Sequence, residues 1–140
     1  MLYIFDTDHL TLNQRGDLVV AGRIQRFNYS KDRLLTTIVN LQEQFSGRFQ
    51  QIQRAKNPTA LIQAYQLFSR TVDYFRPWQV LDYDDRAELQ FQAARKSGVR
   101  IGTMDLRIAA IALSLDATVV TRNQKDFQQV PNLKFEDWSV

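Results

Sequence analysis

Thr103-Met104-Asp105-Leu106-Arg107-Ile108-Ala109-Ala110-Ile111-Ala112-Leu113-Ser114-Leu115, then Asp116, then Ala117-Thr118-Val119-Val120-Thr121, is the stretch on which the fold turns. Its first part is strongly helical. The run Ile108–Leu113 is wholly apolar, so this helix is packed deeply rather than laid on a surface. Ala109, Ala110 and Ala112 permit its close approach to a sheet. The second part, Ala117–Thr121, is a strand candidate.

Leu2–Phe5 is continuously apolar and stops at Asp6, which suits a central strand covered on both faces. Further strands are expected at Leu34–Val39, near Gln79–Leu81 and at Lys134–Trp138. Helical spacing fills the intervals. Val20, Ile24 and Phe27 share one side before the second strand, and Leu41, Phe45, Phe49 and Ile52 do so after it. Asn57-Pro58 opens a helix reaching about Phe75, with Pro58 in its first turn. Another is expected from roughly Asp84 to Ser97, with Gly98 as its stop. Strands alternating with helices mean an α/β domain with a mainly parallel sheet. Sites in such sheets form beyond the carboxyl ends of the strands, near the topological switch point.

The chain of 140 residues suits one domain, taken here as 1–140. It has no cysteine and one histidine, His9, which excludes disulfides, thiolate metal sites, a cysteine nucleophile and any site with two imidazoles. The formal charge of +3 is compatible with a polyanionic substrate. The first residues reach Asp6 too soon for a signal peptide and no apolar run is of membrane-spanning length, so a soluble, cytoplasmic protein is expected.

The acids are informative through their placement. Asp6 ends an apolar strand, where a charge is unfavourable without a partner, although Asp6-Thr7-Asp8 also suits the cap of a helix beginning near His9. Glu43 lies about 200° around its helix from Leu41, away from the Leu41–Phe45–Phe49 stripe; Asn40 and Glu43 also have capping-box spacing. Asp105 stands in the first turn of the deeply packed helix, where the helix dipole favours it. Asn123 and Asp126 follow the Ala117–Thr121 strand and read as turn residues. Each has an ordinary structural explanation, yet all are expected at one end of the sheet. Crowded carboxylates raise one another's pKa unless a cation holds them, and with so few soft ligands the fitting ion is Mg²⁺ or Mn²⁺.

In this order the motifs resemble the PIN-domain family, and within it the VapC-like toxin ribonucleases of type II toxin–antitoxin systems. Tyr3-Ile4-Phe5-Asp6-Thr7-Asp8-His9-Leu10 resembles the family's first motif, and Thr37–Phe45, with Glu43, its second. Ile101–Ala110 is similar to the third, Thr121–Phe127 to the fourth. The resemblance spans essentially the whole chain. It implies a three-layer α/β/α sandwich with Asp6, Glu43 and Asp105 around Mg²⁺ or Mn²⁺, Asp8 being peripheral. It implies endoribonuclease activity, an RNA substrate, a cognate antitoxin and a homodimer. Many relatives carry an acid where this chain has Asn123, so either Asn123 or Asp126 is expected to complete the catalytic and metal set. Thr7 is expected to orient a carboxylate or water, and Arg48, Arg107 and Arg122 to hold substrate phosphates. Two other readings stay open. One is a haloacid-dehalogenase-like phosphatase using Asp6-Thr7-Asp8 and Asp84-Asp85; the other is an inactive PIN-fold interaction module. Helices expected at Asp17–Tyr29 and Pro58–Phe75 are candidates for a dimer face or antitoxin groove.

Overall fold

The computed structural model describes residues 1–140. Five strands, β1 (Leu2–Phe5), β2 (Arg33–Thr37), β3 (Val80–Leu81), β4 (Thr118–Val120) and β5 (Lys134–Glu136), form one sheet in the order β3-β2-β1-β4-β5. Every pairing is parallel, with Tyr3 opposite Leu34 on one side and Thr118 on the other. From β1 the chain builds outward to β2 and β3, then crosses back to place β4 on the other flank of β1. The switch point therefore lies between β1 and β4, where a parallel sheet opens its crevice.

Seven helices cover the two faces: α1 (Thr7–Gln14), α2 (Leu18–Gln25), α3 (Ile38–Arg54), α4 (Pro58–Phe75), α5 (Asp85–Lys96), α6 (Thr103–Leu115) and α7 (Gln124–Phe127). Side-chain alternation divides the core into two layers. Ile4 and Val119 point into a cluster with Ala87 and Ala94 of α5 and the apolar face of α6. Phe5 and Val120 point the other way, against Leu10, Val20, Phe75 and Trp138. Ala109, Ala110 and Ala112 are buried, as close approach of α6 requires. The result is the expected three-layer α/β/α sandwich. No helix is long and apolar enough to cross a membrane.

Several boundaries depart from expectation. The second strand ends at Thr37 rather than Val39, because the Thr37 hydroxyl caps α3 by accepting from the Asn40 amide at 3.2 Å. This cap overrides the strand propensity of β-branched Ile38 and Val39. The same cap displaces the expected Asn40–Glu43 capping box. The Asp17–Tyr29 helix is shorter: α2 closes at Gln25, and Asn28 turns the chain by accepting from Ser30 N and Oγ. Phe27 thus packs from a turn. Phe49, expected to be buried, stacks on Phe68 of α4 while remaining 50% exposed. The fifth strand stops at Glu136, and α7 is one helical turn where an irregular turn was expected.

Candidate active site at the strand ends

Asp6 stands where β1 gives way to α1. Its backbone N donates to Val120 O, extending the β1–β4 pairing, and its side chain caps α1 by accepting from Thr7 N at 2.8 Å. Oδ1 also accepts from Asn40 Nδ2 at 3.0 Å, and Oδ2 from the Thr121 hydroxyl at 2.8 Å. The residue is only 5% exposed. Burial and, next, the charge of Asp8 push its carboxyl up to about 7, more than the Thr121 and Thr7 hydrogen bonds offset.

Glu43, one turn into α3, accepts from the Thr7 hydroxyl at 3.0 Å. Its pKa is raised by burial, and further by Asp105 and Asp8, against the lowering effect of Thr7. Asp105, in the first turn of α6, is raised by burial, then by Asp126 and Asp8. Asn123 bridges the last two acids: Nδ2 donates to Asp105 Oδ2 at 3.2 Å and to Asp126 Oδ2 at 3.1 Å. Asp6, Glu43, Asp105, Asp126, Asn123 and Thr7 are thus brought together from β1–α1, α3, α6 and α7.

No ion pair in the fold involves Asp6, Glu43, Asp105 or Asp126. Partly buried acids without a cation are unfavourable, and they repel one another. No three of them meet closely enough to make a closed ligand set as they stand; hydroxyl and amide donors sit between them instead. The donor set fits a hard divalent cation. It is all oxygen, under-neutralised and mounted at a sheet crevice.

Three participants were not anticipated. Asn40 is fully buried and donates to both Asp6 and Thr7, while its own Oδ1 accepts from the Thr37 hydroxyl at 2.7 Å. Thr121, also fully buried, joins Asp6 to the β4–α7 loop by accepting from Asn123 N at 3.0 Å. Asp8 is not peripheral: its Oδ2 accepts from Arg122 N at 3.0 Å, and its charge acts on Asp6, Glu43 and Asp105 alike. The signal in the sequence was polarity at positions next to apolar strands and helix starts, but ordinary caps carry the same signal.

The arginines divide differently. Arg122 contributes its backbone N to the pocket rim through Asp8. Arg107 lies over Phe91 of α5 and makes no contact with the acids. Arg48 donates to Thr71 Oγ1 at 2.9 Å and lines a cleft of about 350 Å³ with Gln14, Leu67, Arg70, Thr71 and Tyr74, none of them a member of the acid group. Asp84 caps α5 through Ala87 N and Asp85 accepts from Arg86 N, so neither joins Asp6 as a phosphatase would need.

No protein-family model matches the chain. Ribonuclease VapC1 of Haemophilus influenzae (strain R2866) is 30% identical over 142 residues, covering 99% of both proteins. The chain belongs to the VapC ribonuclease family. A second VapC, the tRNA(fMet)-specific endonuclease of Salmonella typhimurium (strain LT2), is 30% identical over 119 residues, 81% of this chain and 82% of the relative. Among solved structures, VapBC-1 from nontypeable Haemophilus influenzae superposes with a TM-score of 0.75 at 27% identity over the full length of both chains. VapC membership agrees with the all-parallel order of the sheet and with acids gathered at its switch point. It sets aside the phosphatase reading.

Proposed function

We propose that this VapC-family chain is a Mg²⁺- or Mn²⁺-dependent endoribonuclease, the toxin of a toxin–antitoxin pair. The observation that carries this reading is the convergence of Asp6, Glu43 and Asp105 from three separate elements on one edge of the sheet, Asp6 buried and the other two half-buried, with no basic side chain paired to any of them. Asp6 and Asp105 are the main ligand carboxylates, Glu43 stands close by, and Asn123 or Asp126 completes the set. A bound divalent cation supplies activation of water and stabilisation of charge on the phosphoryl group.

The chain's own groups perform the positioning. Thr7 holds Glu43 at Oε1, and Asn40 and Thr121 fix the two oxygens of Asp6. Such partners orient ligands and commonly matter 10–100-fold, as a rough guide. Arg122, whose backbone N meets Asp8 at the pocket rim, is the arginine proposed to hold a substrate phosphate. Exposed Leu18, Val19 and Tyr29 around α2, with Leu61, Ile62 and Tyr65 on α4, offer apolar surface for a cognate antitoxin or second copy. The relative solved as VapBC-1 supports the antitoxin part of this reading.

The test is cleavage of RNA by the purified chain. Cutting with Mg²⁺ or Mn²⁺, arrest by EDTA, and loss of at least about 100-fold in Asp105→Asn are expected, since removing a ligand charge removes transition-state stabilisation. Undiminished cutting in EDTA eliminates the mechanism. Inert RNA under all conditions favours the inactive interaction module.

A further inference from the structure

We infer that Asp8, locked by the buried His9, is a positioning carboxylate of this pocket whose charge and hydrogen bonds strengthen divalent-cation binding. The inference rests on the metal reading above and extends it to a pair that reading does not use.

His9 is the chain's one histidine and is completely buried. Its Nε2 accepts from Trp138 N at 3.0 Å, so the ring proton resides on Nδ1, which faces Asp8 Oδ1 at 2.7 Å. Asp137 Oδ1 lies 3.4 Å from Nε2 but is already served by Ser139 N and Oγ. The imidazole therefore donates a short, charge-assisted bond to Asp8 and is itself pinned by the end of the chain.

The second oxygen of Asp8 faces the β4–α7 loop. It accepts from Arg122 N at 3.0 Å and lies 3.4 Å from the Thr121 hydroxyl. Thr121 in turn donates to Asp6 and accepts from Asn123 N, next to the amide that holds Asp105 and Asp126. Asp8 thus links α1, the chain end and the loop that carries the last pocket residues. Asp126 acts on Asp105, whereas Asp8 acts on Asp6, Glu43 and Asp105 together. Asn123, between them, contributes no charge.

Fold stability accounts for an acceptor at position 8, serving His9 Nδ1 and Arg122 N, but not for a charge turned on three neighbouring acids. An asparagine there keeps one of the two bonds and removes that repulsion. A residue that raises the repulsion inside a cluster becomes favourable when a dication enters, because each carboxylate is attracted to it. The His9–Asp8 arrangement has the form of an outer partner that fixes and charges a metal site.

The experiment is Mn²⁺ binding to the metal-free full-length chain, read by calorimetry or by loss of the free Mn²⁺ resonance signal, with thermal unfolding in EDTA alongside. Asp8→Asn is expected to raise the Mn²⁺ Kd by about 10-fold or more in a chain that still unfolds cooperatively in EDTA. His9→Asn keeps an amide N–H near the place of Nδ1 and should bind Mn²⁺ within about threefold of the parent. His9→Gln, whose amide reaches toward Trp138 instead, should lose affinity as Asp8→Asn does. Should either histidine variant fail to fold, Asp8→Asn decides the matter. A Kd within twofold of the parent in Asp8→Asn overturns the inference. A parent that binds no Mn²⁺ overturns the metal reading itself, and this inference with it.

Discussion

Asp6→Asn in the metal-free protein measures what the pocket costs the fold. In the parent, Asp6 is 5% exposed and its carboxyl titrates at about 7 instead of 3.8. A displacement of that size corresponds to roughly 4 kcal/mol between its two protonation states. The sign follows from proton binding: between the two values the folded chain holds a proton that the unfolded chain has lost. The contribution is therefore fully present below about pH 4 and disappears as pH rises through 7. Asparagine retains most of the local bonding. Its oxygen accepts from Thr7 N and Asn40 Nδ2, and its amide meets the Thr121 hydroxyl, which rotates to accept. Urea unfolding in EDTA should find parent and variant within about 1 kcal/mol at pH 5, and the variant ahead by roughly 2–4 kcal/mol at pH 8. Saturating Mg²⁺ should then raise the parent preferentially, by about 2.7 kcal/mol at one hundred times its Kd. A gap that does not widen from pH 5 to pH 8, or a variant less stable than the parent at pH 8, refutes the reasoning.

Two other substitutions test separate parts of the site. Asn123→Asp adds a charge between Asp105 and Asp126 and should lower the Mg²⁺ concentration for half-maximal RNA cutting, because attraction to a dication outweighs the added repulsion; Asp126→Asn should raise it. Unaltered half-saturation in both variants would leave Asp6, Glu43 and Asp105 as the metal set. Asn40→Ala removes a fully buried donor shared by Asp6 and Thr7 and should cost about 1–3 kcal/mol of stability by urea unfolding, with a fall in kcat larger than any change in KM. A variant as stable and active as the parent would show that Asn40 does not organise the pocket.

The architecture was legible wherever a local signal and a tertiary requirement coincided. Asn57 and Pro58 announced α4, and Asn57 does cap it through Ala60 N. The apolar run after Asp105 announced a buried helix, and α6 occupies Thr103–Leu115 as read. Asp6 and Glu43 follow β1 and β2, whose carboxyl ends share one edge of a parallel sheet, and Asp105 joins them because α6 begins at that edge and runs back to feed β4. Ile38 and Val39 misled because their β-branching is a local preference, while the Thr37 cap is a specific contact. Asn40, Thr121 and Asp8 were obscured for a different reason. Their roles lie in bonds between residues far apart in the chain, Thr121 to Asp6 and Arg122 to Asp8 among them. Proximity in sequence to the acids likewise did not bring Arg48 or Arg107 into contact with them, because Thr71 and Phe91 engage those guanidinium groups instead.

The central claim is that Asp6, Glu43 and Asp105 together hold a divalent cation. Anomalous scattering from crystals of the parent grown with Mn²⁺ tests it most directly. The account predicts a peak within ligand distance, about 2.0–2.3 Å, of oxygens from at least two of these three residues, and its loss in Asp6→Asn. Full-occupancy Mn²⁺ bound elsewhere, with this pocket still bridged only by Asn40, Thr121 and Asn123, would contradict it.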